Sequence, residues 1–185
     1  VPQVDGVLVS DFVYGVMTSR LLERLVELAK KHSVKLFGDL QCSSQIGNIL
    51  RFKGFDLICP TEREARIALG NNENSLEWVA QTLRTKTNSG NLLIKMGSDG
   101  FISYADENGN DFLRRQYFPA LAANPLDVTG AGDSLLAAMS VSVCAGASLM
   151  EASAIGTCMA SIAVQTVGNI PVSYEKLQAL LRSIS

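Results

Sequence analysis

Residues 127–133 have the sequence Asp-Val-Thr-Gly-Ala-Gly-Asp, and this stretch decides the fold expected of the chain. Two glycines and an alanine permit a tight turn of the backbone, and an Ala-rich helical run follows at once. A helix that begins in such a turn presents free N–H groups and the positive end of its dipole. Because phosphate is the common occupant of such positions, the stretch predicts an anion-binding site at a helix N-terminus.

Asp133 lies in the first turn of this predicted helix and allows two interpretations. As a capping carboxylate it would stabilise the helix by about 0.5–2 kcal/mol. As a general base it would accept a proton from a hydroxyl group that attacks a phosphate bound to the same N–H groups. The spacing of the residues in this motif does not distinguish the capping interpretation from the general-base interpretation. The P-loop pattern and the dinucleotide pattern G-x-G-x-x-G are absent, which argues against those two classes of nucleotide site.

The apolar pattern before this stretch alternates between strand-like and helix-like segments. It predicts strands at 4–10, 34–37, 55–59 and 92–96 and helices at 18–31, 61–69 and 75–87. Such alternation implies right-handed crossovers and a parallel sheet with helices on both faces. Two further runs, at 101–105 and 111–118, flank Asn108-Gly109, which predicts an antiparallel hairpin at the sheet edge. Helices are also expected at 131–145, 149–166 and 173–184.

The composition excludes several classes of function. The chain has 185 residues, about one domain, and a net charge of −2, so no basic field indicates nucleic acid or an acidic membrane. No apolar run approaches the ~20 residues that cross a bilayer. The single histidine, His32, excludes a His-rich metal site. Four cysteines without CxxC spacing favour packed, reduced thiols and a cytoplasmic location.

The motif at 127–133 closely resembles the C-terminal motif of the ribokinase-like (PfkB) carbohydrate kinase family. Three further segments agree with that family in order and spacing, at 60–64, 93–100 and 162–171. Within the family, the opening residues 8–15 (Leu-Val-Ser-Asp-Phe-Val-Tyr-Gly) look most like heptose-phosphate kinases. The resemblance covers nearly the whole chain, but it corresponds only to the C-terminal two-thirds of the family.

This resemblance implies a ribokinase-like α/β fold, with a mostly parallel central sheet, helices on both faces and antiparallel edge strands. Residues 1–185 are expected to form a single kinase domain that is incomplete, because the family's N-terminal lid region is missing. Since Val1 leads almost directly into a predicted strand, we expect the chain to begin inside a longer gene product. The lid commonly forms dimer contacts in the family, so a homodimer is expected to involve the missing region.

The same resemblance implies a catalytic centre in the glycine-rich motif. Asp133 would be the base that activates a sugar hydroxyl group. The backbone N–H groups of Gly130, Ala131 and Gly132 would form an anion hole for the transferred phosphate. Glu64 would help to hold Mg²⁺ through water and to order the phosphates.

The remaining implied roles concern the nucleotide, a monovalent cation and the sugar. The nucleotide contacts are expected at Lys95, Gly97, Ser98 and Gly100, with Thr157 at the edge of the base pocket. The residues expected beside a monovalent cation are Asp127 and Thr129. The residues expected to contact the sugar are Asp11 and Asp39.

The chain departs from the family pattern at several positions. Thr61 replaces the usual Asn of the N-x-x-E motif, and the usual Asp-Pro-Asn or Asp-Pro-Lys is Asp-Leu-Gln at 39–41. Tyr14 stands where heptose-phosphate kinases have Lys, so the identity of the sugar stays open. Lys95 is often Thr in the family. A lysine there would either add a charge contact to the ATP phosphates or form a solvated strand end.

The sequence therefore predicts an ATP-dependent phosphotransferase that phosphorylates a hydroxyl group of a sugar or sugar phosphate, with ATP, Mg²⁺ and K⁺ as cofactors. Such a reaction needs in-line positioning and positive potential more than covalent help from the protein. Two alternatives stay open: a non-catalytic, kinase-like module that binds nucleotide or sugar, and a nucleoside or vitamin kinase of the same fold. No nucleic-acid or membrane partner is expected.

Overall fold

The computed structural model describes residues 1–41, 47–106, 114–122, 124–168 and 170–184. The strands are β1 (Gly6–Asp11), β2 (Lys35–Leu40), β3 (Leu57–Ile58), β4 (Asn91–Lys95), β5 (Phe101–Ala105) and β6 (Arg114–Phe118). The α-helices are α1 (Ser19–His32), α2 (Glu62–Leu69), α3 (Leu76–Thr87), α4 (Ala131–Cys144), α5 (Leu149–Ala163) and α6 (Tyr174–Ser183). Short 3₁₀ turns lie at Ile49–Arg51 and Gly97–Asp99.

The strands form one sheet in the order β1-β2-β3-β4-β5-β6. Strands β1 to β4 are parallel to one another, whereas β5 is antiparallel to β4 and β6 is antiparallel to β5. The mostly parallel sheet with antiparallel edge strands is therefore confirmed. The predicted turn at Asn108-Gly109 lies outside the described residues, but Phe101 pairs with Phe118 as the hairpin requires.

Apolar side chains form two core layers, one on each face of the sheet. In β4, Leu92 and Ile94 pack in the layer with α1, α2 and α3, whereas Leu93 packs in the layer with α4 and α5. Successive side chains of a strand point to opposite faces, so a strand covered on both faces needs a continuous apolar run. The prediction of helices on both faces is confirmed. Among the described residues, no helix has the length and apolar character needed to span a bilayer.

Hydroxyl side chains begin the helices of the first layer. Thr18 accepts a hydrogen bond from the N–H of Leu21 at the start of α1. Thr61 and Glu64 form a reciprocal capping box at α2, in which each side chain accepts a bond from the other residue's backbone N–H. Ser75 caps α3 in the same way as Thr18 caps α1. Each such cap contributes about 0.5–2 kcal/mol to stability.

Strand β2 is longer than the apolar pattern predicts, and this difference determines where the site lies. The apolar run ends before Gly38, but β2 continues to Leu40 because Asp39 pairs with Ser10 of β1. Gly38 fits in the strand because the ring of Phe52 lies where a Cβ would be. A glycine and a buried carboxylate are weak strand formers, so the pairing with β1, and not local propensity, extends the strand.

Helices α4 and α5 pack closely because Gly156 has no side chain. A Cβ at this position would lie 2.7 Å from Leu135 Cδ1 and 2.8 Å from Met139 Cγ. Carbon atoms in good contact are about 3.5–4.0 Å apart, so no side chain fits here without moving the helices. The helix layer that supports the N-terminus of α4 therefore depends on this glycine.

Replacing Gly156 with Leu is expected to lower the free energy of unfolding by about 1–3 kcal/mol, because the new side chain overfills the contact between α4 and α5. At about 2–4 °C per kcal/mol, the melting temperature should fall by roughly 2–12 °C. Ala154→Leu, on the exposed face of α5, is the matched control and should leave the melting temperature near the parent value. Equal melting temperatures for the two variants, measured by circular dichroism, would contradict this packing.

Candidate active site

The candidate site lies where the carboxyl ends of the parallel strands meet the first turn of α4. Ser10 and Asp39 lie near the ends of β1 and β2, and Lys95 is the last residue of β4. Helix α4 packs against β1 and β2, so its first turn reaches these three side chains. In open α/β sheets this edge is the usual position of a ligand.

The turn before α4 has the geometry that an anion-binding turn requires. Gly130 adopts a left-handed conformation (φ 76°) at the N-cap, and no side chain caps the helix. No described residue accepts a hydrogen bond from the N–H groups of Gly132 and Asp133. These donors are therefore available at the positive end of the helix dipole. The binding of phosphate by this turn stays a prediction.

The carboxylate of Asp133 does not cap its own helix. Its Oδ1 accepts one hydrogen bond from Ser10 Oγ at 3.2 Å and another from Gln41 Nε2 at 3.0 Å. The capping interpretation is therefore excluded, and the carboxylate is oriented by groups from the sheet. Ser10 was not predicted as a site residue, and Gln41 was noted only as part of the departure from the family pattern at 39–41. The signal that would have found them is their place at the carboxyl end of a predicted parallel strand.

Lys95 and Asp39 form a buried ion pair across the end of β3. Lys95 Nζ donates to both carboxylate oxygens at 2.7 Å, and the side chain of Lys95 is only 16% exposed. Burial by itself lowers the pKa of Lys95, but the Asp39 carboxylate outweighs burial and the pKa is raised, so the ammonium is charged at neutral pH. Burial raises the pKa of Asp39, and the Lys95 ammonium opposes that rise. A solvated strand end is therefore excluded for Lys95.

The first turn of α4 lies directly against this ion pair. A Cβ at Gly132 would be 3.5 Å from Lys95 Nζ and 3.9 Å from Asp39 Oδ2. These are ordinary contact distances, so a small side chain fits at this position but touches the paired charges. The charged ammonium and the free N–H groups of the turn are therefore close neighbours in one small region.

Glu64 is a second buried carboxylate near the ion pair. Its side chain belongs to the α2 capping box, where Oε2 accepts a hydrogen bond from the N–H of Thr61 at 2.7 Å. Glu64 is 8% exposed. Among the smaller electrostatic contributions, its negative charge raises the pKa of both Asp39 and Lys95. The two carboxylates thus act on the same ammonium group.

The predicted nucleotide turn lies between β4 and β5. Gly97 and Ser98 are exposed at its surface, and Gly97 has a φ of 64°. Gly100 has a φ of 83°, and a Cβ there would overlap the carbonyl oxygen of Phe118. Only glycine therefore fits at position 100, where the turn packs against the end of β6.

An open cleft separates this turn from the start of α2. Its volume is about 620 Å³, and its lining includes Thr61, Arg63, Arg66, Lys95 and Gly97. Ligand clefts are commonly about 300–1,000 Å³, so the size suits a nucleotide. The lining also includes Glu62, which forms an ion pair with Arg66 at 2.7 Å. The cationic lining residues outnumber this carboxylate, which favours an anionic occupant.

Two predicted site residues are buried and already form local hydrogen bonds. The hydroxyl of Thr157 donates to the carbonyl of Ser153 in its own helix at 2.8 Å. Asp11 Oδ1 accepts from the N–H of Val13 at 2.9 Å, and its other oxygen lies 3.6 Å from Arg51. These bonds stabilise local structure. The predicted contacts of Thr157 with a base and of Asp11 with a sugar stay predictions.

Asp127 joins the loop before α4 to the loop after α5. Its Oδ1 accepts a hydrogen bond from the N–H of Thr129 and its Oδ2 accepts one from the N–H of Gly168, both at 2.9 Å. The bonds from Thr129, and then the bond from Gly168, hold the pKa of Asp127 below its usual value. The predicted cation residues are thus adjacent, and their binding of a monovalent cation stays a prediction.

Residues 1–176 match the family described as pfkB family carbohydrate kinase. The chain belongs to this family. The resemblance found in the sequence is therefore confirmed, and the chain is part of a carbohydrate kinase family.

Curated relatives carry the name bifunctional protein HldE. The protein from Desulfatibacillum aliphaticivorans is 32% identical over 185 residues, which cover 98% of this chain and 36% of the relative. The protein from Campylobacter fetus subsp. fetus is 31% identical over 179 residues, which cover 95% of this chain and 37% of the relative. The chain thus spans little more than a third of the length of these relatives.

Solved structures of kinases share the fold. Arabidopsis thaliana ribokinase, complexed with ribose and ATP, has a TM-score of 0.79 at 23% identity and is matched over 98% of this chain and 57% of its own. Escherichia coli phosphofructokinase-2, in complex with potassium, has a TM-score of 0.77 at 18% identity. The match covers 97% of this chain and 57% of the phosphofructokinase-2 chain. The ribokinase-like fold is therefore confirmed, and this chain corresponds to only part of it.

Removing one partner of the Lys95–Asp39 pair should cost about 3–5 kcal/mol, because an unpaired charge would stay buried. We therefore expect Asp39→Leu and Lys95→Met each to lower the free energy of unfolding by that amount. The double variant should lose far less free energy of unfolding than the sum of the two single losses, since neither charge remains. Urea unfolding of the four proteins measures these differences, and strictly additive losses would show that the two charges do not interact.

Proposed function

We propose that this chain forms the nucleotide-binding and catalytic part of an ATP-dependent kinase that phosphorylates a hydroxyl group of a sugar or sugar phosphate. The observation that supports this proposal is the position of Asp133. Its carboxylate lies on the first turn of α4, beside the free N–H groups of that turn and close to strand ends β1 and β2. A base and an anion-binding turn on one helical turn suit phosphoryl transfer to an alcohol.

The proposed step begins when Asp133 accepts the proton of the substrate hydroxyl group. The hydroxyl oxygen attacks the γ-phosphorus of ATP and forms the new P–O bond. The bond between the γ-phosphorus and the β–γ bridging oxygen breaks, and its electron pair leaves with ADP. The N–H groups at Gly130, Ala131 and Gly132 would stabilise the charge on the transferred phosphoryl group. The N–H of Ala131 would first have to release the carbonyl of Val128, to which it donates at 3.2 Å.

Ser10 and Gln41 support this role of Asp133. Both donate to Oδ1, so they fix the plane of the carboxylate and direct Oδ2 away from their own contacts. A base held in one orientation needs no reorganisation when the hydroxyl group arrives. We therefore propose Ser10 and Gln41 as positioning residues for Asp133.

The proposed nucleotide site is the cleft between α2 and the Gly97 turn. Lys95 and Gly97 line it, and Arg63 and Arg66 add positive charge along one wall. Ser98 and Gly100 belong to the same turn and would approach the nucleotide through the backbone. Thr157, on α5, would lie at the edge of the pocket that holds the base of the nucleotide, as the family resemblance implies. ATP is the proposed donor.

The residues present do not fit a divalent cation held directly by the protein. Both oxygens of Asp39 accept from Lys95, and Glu64 Oε2 accepts from Thr61. A water-mediated contact between Mg²⁺ and Glu64 stays a prediction.

Two observations bear on the identity of the sugar. The resemblance of residues 8–15 to heptose-phosphate kinases favours a phosphorylated sugar. Tyr14, which replaces a lysine of those kinases, is 68% exposed at the end of β1. A sugar or sugar phosphate, and a homodimer formed through the family's lid region, are therefore the proposed partners. A substrate panel separates these from a nucleoside or vitamin alcohol.

Binding of ATP to this chain should raise its melting temperature. At 100 times the dissociation constant, a ligand adds about 2.7 kcal/mol to the free energy of unfolding. For a chain of this size, that is a shift of roughly 5–11 °C. Gly132→Val should abolish the shift, because the new side chain fills the space between the turn and Lys95. Differential scanning fluorimetry with MgATP and MgADP measures both effects.

The matched control for this experiment is Ala137→Val, which places the same side chain on the exposed face of α4. This variant should keep the full shift. An equal shift in Gly132→Val would place the nucleotide elsewhere, and the absence of any shift in the parent chain would contradict nucleotide binding by these residues.

Asp133→Asn should lower kcat by about 10²–10⁴-fold, which is the usual contribution of a general base. The affinity for ATP should change little, because the carboxylate would act on the hydroxyl group and not on the nucleotide. Turnover of a sugar and sugar-phosphate panel by the full-length protein measures this loss. Asp5→Asn, an exposed change of the same kind, is the control. Unchanged turnover in Asp133→Asn would exclude Asp133 as the base.

A further inference from the structure

The two oxygens of the Asp39 carboxylate contact one positive centre, as they would contact a bound metal cation. The carboxylate is fully buried, and its two oxygens lie at the same distance, 2.7 Å, from one positive centre, Lys95 Nζ. Oδ1 also accepts from the N–H of Leu40, which fixes the carboxylate at the strand end. The carboxylate therefore holds a single cation in a defined position at the carboxyl edge of the sheet.

The carboxylate of Glu64 also stabilises the positive charge of Lys95. Glu64 is buried, and its charge favours the protonated, positive form of Lys95. Mg²⁺ in proteins is usually bound by one or two carboxylates together with substrate phosphates and water. The Asp39 carboxylate beside a turn suited to phosphate therefore resembles a divalent-cation ligand, except that the Lys95 ammonium already contacts both of its oxygens.

Lys95 reaches this position from a rigid element. It is the last residue of β4, and its backbone N–H donates to the carbonyl of Pro60. Its Nζ would be 3.5 Å from a Cβ at Gly132. The ammonium is therefore fixed next to the turn, as a compact point charge of the kind that binds phosphate.

We infer that the Lys95 ammonium takes the position and the charge role of a protein-bound divalent cation in this site. Lys95 neutralises Asp39, excludes a metal ion from the Asp39 carboxylate and presents a permanent positive charge to the anion-binding turn. This inference rests on the proposed function only for the identity of the anion. The exclusion of a metal ion by Lys95 is a property of the chain itself.

Removal of the Lys95 charge should open a metal site where the protein now has none. In Lys95→Gln, Asp39 keeps its charge and loses its cation, so a divalent ion can take that place. We expect nucleotide-free Lys95→Gln to bind Mn²⁺ at least about tenfold more tightly than the unaltered protein, a difference of about 1.4 kcal/mol. Adding Asp39→Asn to Lys95→Gln should remove this gain.

The experiment is a titration of each protein with Mn²⁺, in which electron paramagnetic resonance measures the free ion. Lys86→Gln removes an exposed lysine and is the control for the change in net charge. It should bind Mn²⁺ like the unaltered protein. Mn²⁺ should also raise the melting temperature of Lys95→Gln and leave that of the unaltered protein unchanged. If Lys95→Gln is unfolded without metal, millimolar Mn²⁺ should restore its circular dichroism spectrum.

Several results would overturn the inference. One is micromolar Mn²⁺ binding by the unaltered, nucleotide-free protein that Asp39→Asn abolishes, because the site would then hold metal with Lys95 present. Another is a folded Lys95→Gln that binds Mn²⁺ no better than Lys86→Gln. A third is an unfolded Lys95→Gln that Mn²⁺ does not restore. None of these measurements uses ATP, so they are independent of the nucleotide shift that tests the proposed function.

Discussion

The buried ion pair between Lys95 and Asp39 is the constraint on which the rest of the site depends. Its two residues come from β4 and β2, which lie on either side of β3. Burial of either charge alone would cost several kcal/mol, so both strands must end where the two side chains meet. Strand β2 must therefore continue past Gly38, and the first turn of α4 comes within contact distance of the pair at Gly132.

The second half of the site depends on how α4 returns to the sheet. After the antiparallel strands β5 and β6, the chain crosses back and packs α4 against β1 and β2. This crossing places Asp133 beside Ser10 and Gln41. Because β1 and β2 are parallel and paired in register, their polar ends face the same helix turn. The Lys95 ammonium and the oriented carboxylate of Asp133 therefore both lie at the first turn of α4.

The architecture was predictable because its signals are local. Apolar runs, hydroxyl caps such as Thr18 and Thr61, and the glycine-rich motif are each contained in a few neighbouring residues. The sugar-kinase family was recognisable for the same reason. The end of β2 was not predictable, since Gly38 and Asp39 have low strand propensity and only their pairing with β1 makes them a strand.

The site itself was predictable only in part. The residues of the α4 turn were found from their motif, but the partners of Asp133 are 123 and 92 positions away in the sequence. Lys95 allowed two interpretations until the structure showed it bound to Asp39 and largely buried. The local bonds of Asp11, which accepts from the N–H of Val13 and lies near Arg51, were not predicted, and its contact with a sugar stays a prediction.

The sequence by itself therefore determined the order of strands and helices, the two-sided sheet, the family and the turn that begins α4. Periodicity and capping act over one or two helical turns, so these features are written in adjacent residues. Only the tertiary structure decided which charges pair and what orients Asp133. Those contacts depend on strand register and on the docking of α4, which bring together side chains that no local pattern connects.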